Sequence, residues 1–234
     1  MASTYPVISV IVPVWQEAET IVETLKALDS FRQSGHEVIV VDGDSDDGTR
    51  ERAAGYCDRV LAGERGRAVQ MNMGAASARG DVLLFLHADT QLPVGAADRL
   101  GEFFQSSRHW GRFDVRLTGD RKLFRVIAWF MNQRSRLTGI ATGDQAMFVR
   151  RSTFDALGGF ADIPLMEDVE FSGRLKLASR PYCVSDPVVT DSRRWQRQGA
   201  WRTILLMWQL RWRYWRGESP DELAKVYRSD VRKP

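Results

Sequence analysis

The apolar run at residues 82–86 restricts the fold most, because it ends abruptly in His87, Ala88 and Asp89. Such a run is typical of a β-strand buried on both faces, as in a parallel sheet that helices cover. Ligands of open α/β sheets bind beyond the carboxyl ends of the strands. We therefore expect Asp89 to lie at the edge of the sheet where a ligand binds.

Three earlier segments, residues 7–14, 37–41 and 59–62, are further strand candidates, and stretches with helical spacing separate them. This alternation predicts an α/β fold with a doubly wound sheet and helices on both faces. We expect Pro13 to end the first strand, since proline cannot donate to a strand ladder. The chain has neither GxGxxG after that strand nor GxxxxGKS/T, so the dinucleotide fingerprint and the P-loop are absent.

The second half of the chain has weaker strand signals. A helix is predicted at 121–137, with Phe130 on its apolar stripe, and a strand at 145–149. Two more short strands are predicted at 182–184 and 188–190. With 234 residues, the chain is long enough to build all of this around the core of one large domain.

An acidic loop follows the second predicted strand and contains Asp42 and Asp44. A carboxylate at a strand end can accept a hydrogen bond from a nucleotide base or a ribose hydroxyl. The same composition is equally typical of a solvated turn. The loop alone leaves both interpretations open.

A basic loop places Arg65 and Arg67 on either side of Gly66, at the start of a predicted helix. Guanidinium groups bind phosphate, and a helix N-terminus adds a positive field. Two arginines on a loop are more often solvated surface residues. Phosphate binding is therefore a hypothesis that depends on what lies nearby.

The His87-Ala88-Asp89 sequence suits a divalent cation. Mg²⁺ and Mn²⁺ take oxygen ligands and use substrate phosphates to complete their coordination. Asp89 is the expected ligand. His87 is either a second ligand or a hydrogen-bonded structural residue.

Glu167 and Asp168 stand at the start of a predicted helix that runs to about residue 179. Acidic residues in a first turn interact favourably with the helix dipole. The functional alternative is a general base that deprotonates an acceptor hydroxyl.

The segment 191–234 is basic and aromatic. Seven arginines and no acidic residue lie between Arg193 and Arg216. Five of the eight tryptophans lie here: Trp195, Trp201, Trp208, Trp212 and Trp215. A helix over 199–216 would either lie in a membrane interface or pack on the catalytic domain or a second subunit. Its basic charge is too local and too aromatic for nucleic-acid binding.

The two cysteines, Cys57 and Cys183, form neither a zinc motif nor a disulfide framework. The N-terminus shows no signal-peptide pattern, and the longest C-terminal apolar run is too short to cross a bilayer. We expect a cytoplasmic protein, with contact to the inner face of the cell membrane as an open alternative.

Five of these segments, in this order, resemble the family 2 glycosyltransferases with a GT-A fold over about residues 7–190. Each segment alone is a weak signal, but the five together are specific. They are residues 10–17 (against VIVPxYNE), 40–49 (against VVDDGSxDGT), 67–81 (the helix ending in AxGD), 87–89 (against DxD) and 167–171 (against EDxDL).

The resemblance implies a GT-A domain at 1–190, with a nucleotide-sugar half at about 1–112 and an acceptor half at about 113–190. The basic, tryptophan-rich helical extension at 191–234 would follow it. The implied reaction transfers a sugar from a UDP- or GDP-linked donor to an acceptor hydroxyl with inversion, assisted by Mg²⁺ or Mn²⁺. A lipid-linked acceptor is one candidate.

The resemblance also implies roles for individual residues. Asp168 is the implied catalytic base, with Glu167 beside it, and Asp89 holds the metal ion together with His87. The implied nucleotide-sugar site consists of Pro13, Glu17, Asp42, Asp44, Arg65, Arg67, His87 and Ala88.

Two residues depart from the family pattern. Gly43 replaces the second aspartate of VDDGS, and His87 replaces the first aspartate of DxD. These departures keep two alternatives open: a nucleotidyltransferase, and a catalytically degenerate domain that binds a nucleotide or a membrane.

Overall fold

The computed structural model describes residues 6–119, 121–192 and 199–231. The strands are β1 (Ile8–Val14), β2 (Glu37–Asp42), β3 (Arg59–Ala62), β4 (Val82–Phe85), β5 (Thr90–Gln91), β6 (Trp110–Leu117), β7 (Phe148–Arg150) and β8 (Tyr182–Thr190). The helices are α1 (Ile21–Lys26), α2 (Asp29–Gln33), α3 (Thr49–Ala53), α4 (Arg67–Ser77), α5 (Ala96–Gln105), α6 (Lys122–Thr138), α7 (Arg151–Ala156), α8 (Glu167–Ala178), α9 (Ala200–Trp215) and α10 (Pro220–Val231), with a 3₁₀ turn at Gly143–Gln145.

The strands form one mixed sheet in the order β3-β2-β1-β4-β7-β6-β8-β5. The first four are parallel to one another, whereas β7 is antiparallel to both β4 and β6. One apolar core contains residues of α1, α2 and α5, and a second contains residues of α4, α7 and α8. Val10 and Val12 point into the first core and Ile11 into the second, so the predicted two-faced α/β sheet is confirmed.

The expectation that Pro13 ends the first strand is wrong. β1 continues to Val14, and Pro13 lies opposite Val41 of β2. The Ile11 carbonyl faces β4, where it accepts from the N–H of Leu86, so Pro13, two residues on, faces the same side. Since β4 ends at Phe85, Pro13 lies beyond its ladder and no strand bond is lost there.

Other predicted elements also change. Residues 145–149 were expected to form one strand, but Gln145 closes a 3₁₀ turn and only Phe148–Arg150 pair as β7. Residues 182–184 and 188–190 were expected to form two strands but belong to one strand, β8. The residues between them are accommodated by a shift in the β6–β8 register between Phe113 and Asp114. Phe130 is 61% exposed rather than on the packed stripe of α6.

The two C-terminal helices pack together and onto the start of α8. Leu206, Leu210 and Leu223 form a small apolar cluster with Met166. The four tryptophans of α9 face outward and are between 56% and 82% exposed: Trp201, Trp208, Trp212 and Trp215. The expected packing of this helix on the catalytic domain is thus seen for its leucine face, whereas the domain leaves these four tryptophans exposed. Trp195 lies outside the residues that the structure describes.

In the described part of the chain, no helix is both long and apolar enough to cross a membrane.

Glu37, at the start of β2, is a buried carboxylate that ties the amino-terminal ends of the strands together. Its side chain is 2% exposed and accepts from the Ser9 hydroxyl, the Arg79 N–H and the Arg59 guanidinium, the last at 2.8 Å. Burial alone would raise the pKa of Glu37, but these donors outweigh it and lower the pKa below its ordinary value of 4.5. Its stabilising effect is thus present above pH 4.5 and is lost as the pH falls through the lowered pKa.

We expect Glu37→Gln to lower the free energy of unfolding at pH 7 by about 2 kcal/mol, since charge-assisted hydrogen bonds are lost at a buried site. Urea denaturation at pH 7 and pH 4 measures this. Glu51→Gln, whose side chain is 71% exposed, is the matched control and should change little. A difference between Glu37→Gln and wild type that does not shrink at the lower pH would contradict this explanation.

Candidate active site

Strained backbone collects at one edge of the sheet. The four non-glycine residues with positive φ in the described chain are Gln16 (58°), Asp44 (63°), Ala146 (44°) and Met166 (71°). Gln16 follows β1 and Asp44 follows β2, whereas Ala146 precedes the antiparallel β7 and Met166 precedes α8. Strain of this kind costs about 1–3 kcal/mol per residue and clusters at functional sites. This edge is therefore the candidate active site.

The first turn of α8 carries the two predicted catalytic carboxylates. Met166 forms its left-handed N-cap, so Glu167 and Asp168 occupy the first two helical positions. Asp168 accepts the N–H of Gly143 at 2.8 Å through Oδ2 and the N–H of Val169 at 2.7 Å through Oδ1. Both oxygens are thus held in place, and Asp168 keeps partial access to solvent.

Glu167 is 4% exposed and lies beside Arg67, the first residue of α4. The Arg67 Nη1 to Glu167 Oε1 distance is 3.6 Å. Burial, followed by the negative charge of Asp168, raises the pKa of Glu167. Burial alone would lower the pKa of Arg67, but Glu167 and other nearby acidic groups outweigh it and raise the pKa. The fold thus brings the predicted phosphate-binding arginine to the predicted catalytic pair.

His87 lies in the turn after β4, at the centre of this group. Its Nδ1 is 3.6 Å from Asp144 Oδ1, and its Nε2 is buried without a partner in the described chain. Burial, followed by the positive charge of Arg67, lowers the pKa of His87 to about 4. The imidazole is therefore neutral at pH 7 and can accept a hydrogen bond or a metal ion.

Asp89 lies two residues further and is exposed, with Oδ1 accepting from the Thr90 hydroxyl at 3.2 Å. Within the described residues there is no group of three or more His, Cys, Asp or Glu side chains that could hold a metal ion. Mg²⁺ needs only one or two protein carboxylates when substrate phosphates complete its coordination. The exposed carboxylate of Asp89 fits a site of that kind, and the neutral His87 beside it is compatible with a second ligand.

The carboxyl end of β2 holds Asp42, whose side chain is buried. Its Oδ2 accepts the N–H of Ser45 at 3.1 Å, whereas Oδ1 is buried and has no partner in the described chain. An unmet acceptor at a strand end suits the N–H of a nucleotide base. Asp44, in contrast, is exposed on the left-handed turn that follows.

The Gly43 departure has a local explanation. Gln70 of α4 donates its Nε2 to the carbonyls of Val14 (2.7 Å) and Val41 (2.8 Å), which joins the ends of β1 and β2. A Cβ at Gly43 would lie 3.0 Å from that same Nε2. An aspartate at position 43 would therefore require a shift of a few tenths of an ångström in the Gln70 amide that fixes the two strand ends.

The remaining predicted donor-site residues lie around the β1 end. Arg65 stacks on the exposed Trp15, with its guanidinium carbon 3.4 Å from the ring centroid. Glu17 accepts the Thr20 hydroxyl at 2.8 Å. Pro13 is within β1, and the carbonyl of the buried Ala88 is already engaged by the Thr24 hydroxyl. Arg67 thus contacts Glu167 directly, whereas His87 interacts electrostatically with Arg67 and Asp168.

Sequence reasoning missed four residues at this site. Gly143 and Asp144 lie between the helix predicted at 121–137 and the strand predicted at 145–149, and neither was assigned a role from the sequence. Arg134 of α6 and Arg211 of α9 both interact electrostatically with Asp144. No sequence signal distinguishes Arg211 from the other arginines of its helix.

Gly143 lies so close to His87 that a side chain cannot fit: a Cβ there would be 2.4 Å from Nε2 and 2.6 Å from Cε1. We expect Gly143→Ala to destabilise the protein by about 1–3 kcal/mol through overpacking. Adding His87→Ala should recover part of that loss, because the clash is with the imidazole. Urea denaturation of the single and double variants gives the coupling energy.

Gly173→Ala is the matched control, since nothing lies within 4 Å of its Cβ position inside α8. That variant should be neutral or slightly stabilising. Strictly additive effects of Gly143→Ala and His87→Ala would contradict the proposed clash.

Comparison with known proteins agrees with this geometry. Residues 9–158 match the family described as glycosyl transferase family 2. The chain is 37% identical over 98 residues to the glycosyltransferase AglE of Haloferax volcanii, covering 38% of this chain and 32% of AglE. It is 33% identical over 102 residues to the dolichol-phosphate mannosyltransferase of Pyrococcus furiosus, covering 41% and 29% of the two chains. The alignments thus span about a third of the length of these relatives.

A solved structure shares the fold across almost the whole chain. It is the mannosyltransferase PcManGT from Pyrobaculum calidifontis in complex with GDP-Man and Mn²⁺, with a TM-score of 0.65 at 22% identity, over 97% of this chain and 69% of that one. The predicted GT-A-type fold is confirmed by this likeness. Since the family match covers more than half of the chain, this protein belongs to glycosyl transferase family 2.

Proposed function

We propose that this chain is an inverting glycosyltransferase that moves a sugar from a nucleotide-sugar donor to an acceptor hydroxyl. One observation supports this most strongly: Arg67, Asp89 and Asp168, which are distant in sequence, belong to one electrostatic group around His87. A phosphate-binding cation, an exposed carboxylate and a held carboxylate are the parts that this reaction needs. The protein would act as a UDP- or GDP-dependent enzyme.

The donor half is proposed to work through three contacts. The unmet Oδ1 of Asp42 accepts a base N–H, with Pro13, Glu17 and Asp44 around it. Arg67 binds the diphosphate, and Arg65, stacked on Trp15, contributes charge near the same nucleotide. Arg67 lies 3.6 Å from Glu167 Oε1, and its side chain is 52% exposed, so its guanidinium remains accessible to a phosphate from the solvent side.

Asp89, with His87 as a candidate second ligand, would hold Mg²⁺ or Mn²⁺. A divalent cation bound there supplies positive charge to the leaving nucleoside diphosphate. The neutral state of His87 at pH 7 is compatible with ligation through a ring nitrogen, although the packing of Gly143 against Nε2 restricts access to that atom.

Asp168 is proposed to act as the general base. It accepts the proton of the acceptor hydroxyl while the acceptor oxygen bonds to the anomeric carbon and the bond to the diphosphate oxygen breaks. The Gly143 N–H and the start of α8 hold this carboxylate in position. A single in-line displacement inverts the anomeric centre without a covalent enzyme intermediate.

The exposed tryptophan face of α9 supports a second part of the proposal. With arginines on the same helix, residues 199–216 would contact either the cytoplasmic face of the membrane or a second copy of the chain. A lipid-linked acceptor would suit the first of these. We also propose the division into a GT-A domain at 1–190 and an extension at 191–234.

A donor screen tests the proposal. Nucleoside diphosphate release from a panel of UDP- and GDP-linked sugars, including GDP-mannose and UDP-GlcNAc, is the expected result. Pyrophosphate release from sugar phosphates and nucleoside triphosphates would instead indicate a nucleotidyltransferase. Tight nucleotide binding without turnover of any donor would indicate a degenerate binding domain.

A further inference from the structure

Two arginines that the donor site does not use interact electrostatically with the proposed base, and one of them donates to Thr142, the neighbour of the Gly143 whose N–H holds Asp168. Arg134 is on α6 and Arg211 is on α9. Arg134 donates to the Thr142 hydroxyl at 3.3 Å, and the Nε atoms of both arginines are buried without a hydrogen-bond partner in the described chain. Neither guanidinium forms a direct ion pair with a carboxylate of the described residues. Each nevertheless interacts electrostatically with Asp144 and Asp168.

Burial disfavours the charged forms of both Arg134 and Arg211. Burial, followed by repulsion from Arg211, lowers the pKa of Arg134 to about 10, and burial lowers that of Arg211. Arginine is not deprotonated in proteins at neutral pH, so both guanidinium groups are cations. Two partly desolvated cations near each other are unfavourable unless an anion lies between them. An anionic ligand would therefore relieve their repulsion and satisfy their free N–H groups.

We propose that Arg134 and Arg211 bind a phosphate group carried by the acceptor. The inference rests on the transferase function proposed above. Planar guanidinium groups match phosphate oxygens in bidentate geometry. The donor diphosphate already has Arg67 on α4, whereas the proposed base, Asp168, has to touch the acceptor. Because Arg134 and Arg211 interact electrostatically with Asp168, an anion that they bind is assigned to the acceptor rather than to the donor.

The same helix shows where such an acceptor could extend. Trp208 and Trp212 flank Arg211 along α9 and are 69% and 56% exposed. An acceptor of this kind would carry its phosphate at the arginines, the hydroxyl that Asp168 deprotonates on the same head group, and an apolar tail on these indoles. A water-soluble phosphate ester would use the arginines alone. Both sources share one chemistry, a phosphate monoester, and binding experiments separate them.

The test is calorimetric titration of the full chain, with UDP or GDP present, using farnesyl phosphate, glycerol 3-phosphate and farnesol. We expect at least one phosphate ester to bind and farnesol to bind far more weakly. The double variant Arg134→Gln/Arg211→Gln should weaken phosphate binding by tenfold or more while leaving the nucleotide dissociation constant within twofold. Arg125→Gln, at an exposed position on α6, is the matched control.

Tighter binding of farnesyl phosphate than of glycerol 3-phosphate supports a lipid-linked acceptor, and equal binding supports a soluble one. The proposal is overturned if no phosphate ester binds, if the double variant binds phosphate as wild type does, or if it loses nucleotide affinity instead. Phenylglyoxal labelling of wild-type protein gives a readout without variants: the bound ester should protect Arg134 and Arg211 but not Arg125, and absence of protection also overturns it.

These results separate this site from the transferase proposal. If donors are turned over but phosphate binding does not depend on the two arginines, only the acceptor site is wrong. If no nucleotide sugar in the donor panel is used, the transferase function and the acceptor role fail together.

Discussion

Asp168→Asn is expected to lower turnover by about a thousandfold, within the range that a general base contributes, while donor binding stays nearly unchanged. The substitution keeps the shape of the side chain, and its amide oxygen can still accept the N–H of Gly143. It removes the basicity that takes the proton from the acceptor. The loss should therefore appear in kcat rather than in the dissociation constant of the nucleotide sugar.

The measurement is steady-state release of nucleoside diphosphate, combined with calorimetric titration of the donor. Glu170→Gln is the matched control, since Glu170 lies two residues along the same helix and pairs with Arg174. That control should retain most of the activity. Substantial turnover by Asp168→Asn would remove Asp168 from the role of base, and equal losses in both variants would indicate general damage to α8.

The position of the candidate site follows from local sequence, because its residues stand at the ends of regular elements. Asp42 ends a β-branched run, His87 follows an apolar run, and Glu167 opens a helix. Strand and helix periodicity predict those ends, and parallel strands then place two of the ends at one edge of the sheet. The pattern could therefore place these side chains before any distance was known.

Contacts between elements that are distant along the chain could not be predicted from the sequence. The burial of the His87 ring against Gly143 depends on how a turn after β4 meets the 3₁₀ turn before β7. The approach of Arg211 to Arg134 depends on which face of α9 packs inward. Sequence showed only a basic, aromatic helix, in which Arg211 looks like Arg213. Tertiary packing, not periodicity, selects one of them for the site.

Pro13 and Phe130 show the limits of residue preference. Proline is disfavoured inside a sheet, yet Pro13 is accommodated where the neighbouring strand has already ended. Phe130 fits an apolar stripe by spacing, yet 61% of it remains exposed because the interior side of α6 is narrower than the stripe. Both errors come from neighbours that are distant in sequence.

Asp89→Asn is expected to abolish the tightening of donor binding by Mg²⁺ or Mn²⁺ and to lower turnover by about a hundredfold, since a catalytic metal ion supplies several kcal/mol of charge stabilisation. Asp89 offers an exposed carboxylate that is not committed to an ion pair in the described chain. Neutralising it removes the main charge that would hold the cation. Affinity for the donor in EDTA should stay as in wild type.

Calorimetry of the nucleoside diphosphate with Mn²⁺ and with EDTA measures the effect, and Asp98→Asn on α5 is the exposed control. His87→Gln tests whether His87 is the second metal ligand. If Mg²⁺ or Mn²⁺ still tightens donor binding in this variant, Asp89 is the protein ligand and His87 is not. Tightening that persists in Asp89→Asn itself would contradict the metal assignment.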